Sequence, residues 1–157
     1  MTNNRESPSV QYWRSVKATF KRYGIELREG EKPNEPMVHQ LLKNWISKLG
    51  LTKIATYGVG APDFVTYQSG LRVAIEAKGH SNEPHSLTKI MEQLKRYLQA
   101  CQVALFVTHS YGLKAQLEGV LAVSDIGDRV IPLTVRELPR TKPELKRLLF
   151  DLPDQFG

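Results

Sequence analysis

Residues 60–78, GAPDFVTYQSGLRVAIEAK, hold two short apolar runs separated by a glycine-containing break. Phe64, Val65, Thr66 and Tyr67 in the first run and Val73 and Ile75 in the second favour strands, and Gln68-Ser69-Gly70 between them favours a hairpin turn. A turn centred between Ser69 and Gly70 sets Asp63 opposite Glu76, and directly opposed side chains of an antiparallel pair lie about 5 Å apart. Two carboxylates at that distance repel unless a cation lies between them, and Mg²⁺ prefers oxygen ligands of this kind. Lys78 follows Glu76 by two residues, so strand alternation carries it to the same face, while Val73, Ile75 and Ala77 occupy the other and suit a core. The hairpin therefore presents two carboxylates and one ammonium on a single surface. The alternative reading of Asp63, Glu76 and Lys78 is a surface charge network, which contributes little to stability.

Upstream of the hairpin, Asn34 caps a predicted helix over residues 34–49, with Pro36 in its first turn and Val38, Leu41, Leu42, Trp45 and Leu49 as its apolar face. Glu35 projects near the side of Leu42, and as a first-turn carboxylate it suits the helix dipole; His39 reads as a polar boundary residue. Residues 53–57 are β-prone, and Gly58 and Gly60 let the backbone turn into the hairpin. Downstream, residues 79–86 form a polar loop with His80, Glu83 and His85, which lack the spacing of a zinc site and are placed near a substrate instead. A helix follows over residues 87–100, with Ile90, Leu94 and Leu98 as rungs and Gln93 and Tyr97 sharing a face. The continuous apolar run 103–108 predicts a strand buried on both sides, reached by a crossover that extends the sheet. Residues 113–123 read as a helix, 129–135 as a strand demoted to an edge by Pro132, and 143–150 as a closing helix.

The hairpin resembles the PD-(D/E)XK nuclease superfamily, with Pro62-Asp63 and Glu76-Ala77-Lys78 matching its two defining motifs. Gln93-Leu-Lys-Arg-Tyr97 is similar to the QxxxY motif of the RecB-like branch, although Gln and Tyr four apart also suit an ordinary amphipathic helix. The match spans residues 35–108, roughly half the chain. It implies a restriction-endonuclease-like α/β core with a central mixed sheet flanked by helices. It also implies that Asp63, Glu76 and the backbone carbonyl of Ala77 hold Mg²⁺, with Mn²⁺ as substitute and Glu35 as a further ligand. Lys78 would orient or help deprotonate the attacking water, and Gln93 and Tyr97 would support the site and its substrate contacts.

The chain has 157 residues, which fits one domain over residues 1–157. Its 22 Lys and Arg against 16 Asp and Glu leave a formal +6, which suits a polyanionic partner, nucleic acid first. A helix over residues 9–23 carries Arg14, Lys17, Lys21 and Arg22 beside an apolar stripe of Val10, Trp13, Val16, Phe20 and Tyr23. Those cations read either as a solvated face or as a DNA contact. Arg136, Arg140, Lys142, Lys146 and Arg147 make a second basic cluster. The single cysteine, Cys101, excludes an internal disulfide and a four-thiol metal site. Residues 1–8 read as loose, no run suits a membrane span or a signal peptide, and a soluble cytoplasmic protein is expected. Together these features lead to the expectation of a Mg²⁺-dependent deoxyribonuclease, endo- or exonucleolytic. The rivals are a homodimeric Holliday-junction resolvase of the same fold and a non-catalytic nucleic-acid-binding module.

Overall fold

The computed structural model describes residues 7–150; the expected loose stretch before Ser7 lies outside them. Four helices begin where a short polar side chain can accept the amide three residues on: Ser7, Asn34, Ser86 and Ser110 cap α1 (Pro8–Arg22), α2 (Glu35–Leu49), α3 (Leu87–Tyr97) and α4 (Tyr111–Leu121). Helix α5 is Lys142–Phe150. Gly50, left-handed at φ 66°, ends α2.

Five strands, β1 (Thr52–Ile54), β2 (Phe64–Gln68), β3 (Leu71–Lys78), β4 (Val103–Thr108) and β5 (Val130–Thr134), lie in the sheet in chain order. The pairs β1–β2 and β2–β3 are antiparallel, and β3–β4 and β4–β5 are parallel, so the sheet is mixed. Gln68 pairs with Leu71 across a two-residue turn whose central residues, Ser69 and Gly70, both have positive φ (51° and 84°). Turns of this kind match the right-handed twist of the strands they join. The register runs from there to Phe64 opposite Ile75, so Asp63 stands one step beyond the ladder, opposite Glu76.

Strand alternation divides the core into two. Val73, Ile75, Ala77, Leu105 and Val107 pack under α1, α2 and α5, whereas Ala74, Ala104 and Phe106 pack under α3 and α4. All six residues of β4 are buried, as a strand covered on both faces must be. Each large side chain sealed there, such as Leu105 or Phe106, contributes roughly 1.5–3 kcal/mol. Pro132 sits in β5 at the sheet edge, where a missing N–H is tolerated.

The elements differ from expectation at their ends. Helix α3 stops at Tyr97 rather than at residue 100: the chain tightens there into turns, with the Gln99 N–H on the Arg96 carbonyl and the Ala100 N–H on the Tyr97 carbonyl, and the Arg129 guanidinium donates to the carbonyls of Leu98 (2.9 Å) and Cys101 (2.8 Å). Strand β1 is shorter and starts at Thr52, since the chain leaves the sheet after Ile54 toward a loop with Gly58 at φ 91°. Val10, assigned to the apolar stripe of α1, is exposed, and Leu49 is only half-buried. His39 lies against the Phe64 ring, with centroids 4.5 Å apart. Among the described residues no helix is long and apolar enough to cross a membrane.

Candidate active site

Strand β3 has eight residues and its partner β2 five, so beyond Ile75 the edge of β3 that faces β2 has no ladder partner. Asp63 fills the gap: its Oδ2 accepts the Ala77 N–H at 2.8 Å. In a strand the N–H and C=O of one residue face the same neighbour, so the Ala77 carbonyl opens onto this edge as well. Glu76, opposite Asp63, is buried, and its Oε2 accepts the Tyr97 hydroxyl from α3 at 3.0 Å. Lys78 Nζ lies 3.8 Å from Glu76 Oε2 and 3.5 Å from Glu35 Oε1 at the start of α2. The structure thus gathers Asp63, Glu76, Ala77, Lys78, Tyr97 and Glu35 at one end of the sheet.

The charges there are not independent. Burial, then the negative charge of Asp63 and the hydrogen bond to it, push the Glu76 carboxyl up to about 8, against the opposing pull of Lys78 and Tyr97. Burial, and next the charge of Glu76, raise the Tyr97 hydroxyl, which therefore stays a donor.

Two carboxylates and a backbone carbonyl are hard oxygen donors, a set suited to Mg²⁺. Among the described residues no group of three or more His, Cys, Asp or Glu side chains is arranged to hold a metal ion. The fit therefore comes from the Asp63–Glu76 pair and Ala77, and Glu35, expected as a further ligand, meets the pair only through Lys78. Gln93 is half-buried one turn before Tyr97, and among the described residues no hydrogen bond joins it to the site. Arg14, Lys17, Lys21 and Arg22 are all exposed along α1.

Directly beyond Lys78 a cleft of about 420 Å³ opens between α1, the 79–85 loop and the start of α4. Its lining includes His80, Glu83 and His85, the polar loop residues placed near a substrate above, so Glu83 stands with the cleft. Tyr12, His109 and Tyr111 also line it, and no local pattern announces them: the Tyr12 hydroxyl donates to the His109 carbonyl at 2.7 Å across 97 residues of chain. The His109 ring, held down to about 4 by burial first and by His80, Lys32 and His85 next, stays neutral, and among the described residues its buried Nδ1 has no hydrogen-bond partner.

No protein-family model, curated protein or solved structure matches the chain. The functional reading therefore stands on the geometry of this site.

Proposed function

We propose that the chain is a metal-dependent deoxyribonuclease with a PD-(D/E)XK core, hydrolysing phosphodiester bonds by direct attack of water. The observation that carries this reading is the apposition of Asp63 and Glu76 at the open edge of β3, with the Ala77 carbonyl and Lys78 beside them. A buried Glu76 next to a second carboxylate is costly unless a cation offsets it, and Lys78 offsets only part of that cost. Mg²⁺ held there would supply a nucleophile at neutral pH and offset the charge that grows on the phosphate.

The remaining work falls to the chain's own groups. Asp63 is fixed by the Ala77 N–H and Glu76 by the Tyr97 hydroxyl, so both carboxylates are set before a ligand arrives. Glu35 and Glu76 steady the Lys78 ammonium, which donates to the attacking water or to a phosphate oxygen.

The test is incubation of pure protein with linear, circular and branched DNA in Mg²⁺, Mn²⁺ or EDTA. Cleavage is expected only with the divalent ions. Asp63→Asn, Glu76→Gln and Lys78→Ala should each lower it by about 100-fold or more with thermal stability kept. DNA binding should survive both carboxylate changes. Full activity of metal-free protein in chelator would sink the metal mechanism, and cleavage at the parent rate by all three variants would remove the hairpin as the catalytic site and favour the binding-module reading.

A further inference from the structure

We infer that the cleft beyond Lys78 is a subsite for one unpaired nucleotide of a DNA strand, the nucleotide next to the phosphate at the acidic pair. Its position relative to the phosphate rests on the nuclease reading; its affinity for a base rests on the cleft alone. The volume, about 420 Å³, lies within the roughly 300–1,000 Å³ of small-ligand sites.

Its walls are aromatic, with Tyr12 and Trp13 half-buried on α1 and Tyr111 65% exposed at the start of α4. Tyr12 and Tyr111 are already positioned. Tyr12 is tied to the His109 carbonyl at 2.7 Å, has the Arg136 guanidinium 5.2 Å from its centroid, and meets Tyr111 edge-on at 6.0 Å. Stacking on such rings is open to any base, because every base has a π-face. In a duplex both faces of a base are covered by its neighbours, so only an unpaired base can use the cleft.

Lys32 brings positive charge to the lining, where Glu83 is the one acidic side chain among the described residues. The cleft also adjoins the candidate active site. Gly79 in its wall follows Lys78, and His109 follows Thr108, the residue paired with Lys78 in the sheet. A strand whose phosphate reaches Lys78 therefore has its adjoining nucleotide at the cleft mouth.

The chain's tryptophan content offers a direct readout. There are two tryptophans, and Trp45 is fully buried with its indole N–H on the Pro139 carbonyl, so ligand-induced changes in emission report Trp13. The full chain, in EDTA, is titrated with an oligo(dT) strand, a perfectly paired duplex and free dTMP, while anisotropy of labelled DNA measures binding in parallel. Saturable quenching by oligo(dT) but not by the duplex is expected. Tyr111→Ala should weaken strand binding about tenfold and Tyr111→Phe should restore it.

Binding without quenching, equal quenching by the duplex, dTMP binding as tight as the strand, or an unaffected Tyr111→Ala each overturns the subsite. Because no metal is present, the result is separable from catalysis. Quenching without cleavage in any divalent ion removes the nuclease and keeps the subsite; cleavage without quenching does the reverse.

Discussion

Folding carries Glu76 from water, where its carboxyl titrates near 4.5, to a place where it titrates near 8. The native state thus holds this proton more tightly than the unfolded chain does. The associated stability is complete below 4.5 and is lost as pH rises through 8. His109 runs the other way: its folded value of about 4 lies below the ordinary 6.5, so its contribution is present above 6.5 and lost as pH falls through 4. The two oppose each other in mildly acidic solution, and above 6.5 Glu76 acts alone. The stability of the protein in chelator should therefore fall between pH 6.5 and 8 by on the order of 2 kcal/mol, and its melting temperature should fall with it. Glu76→Gln should flatten that decline. An identical slope in the variant would move the titration to another group.

At the scale of elements, the end of β3 and the beginning of α2 touch through Gly79. The His80 N–H donates to the Pro33 carbonyl at 2.7 Å, and a methyl group on Gly79 would collide with the backbone of Asn34 and Glu35. Gly79→Ala should accordingly cost about 1–3 kcal/mol in denaturant unfolding and lower cleavage by moving Glu35 off Lys78. Gly119 in α4 has open space around it and is the matching control; Gly119→Ala should stabilise by about 0.5–1 kcal/mol. If the two substitutions unfold alike, the contact at Gly79 is not tight. The hairpin and its register were legible in the sequence because the turn residues Ser69 and Gly70 and the alternation about them are local. The Asn34 cap of α2 is local too, whereas α4 starts at Tyr111, two residues before the expected 113, and ends at Leu121 rather than 123. The end of α3 was not legible, since Arg129 reaches it from 28 residues beyond Cys101. The aromatic cleft was equally hidden, because α1, a loop and α4 build it together and none of them carries its pattern.

Across the whole molecule the excess of +6 is displayed in part by α1, whose Arg14, Lys17, Lys21 and Arg22 face solvent. DNA affinity should fall steeply with salt, and changing Arg14, Lys17 and Lys21 together to Ala should flatten the log–log slope by about 0.9 for each phosphate that the variant no longer neutralises. An unaltered slope would leave this face a role in solubility alone. The sheet, meanwhile, has its strands in the order in which they are made. On a ribosome each strand after β1 emerges to find its neighbour waiting, whereas α1, made before all five strands, packs on the turn at Val135–Glu137, made after them. At about 5–20 residues per second, roughly 3–12 seconds separate the synthesis of Lys78 from that of Glu137. Proteolysis of chains stalled after α4 should cut α1 and spare the β2–β3 hairpin, and a protected α1 would mean that it seats without its late partner. During that interval the nascent chain already holds Asp63 and Glu76 while α1, one wall of the cleft, still lacks its seat at Val135–Glu137, so the cleft is completed after the acidic pair.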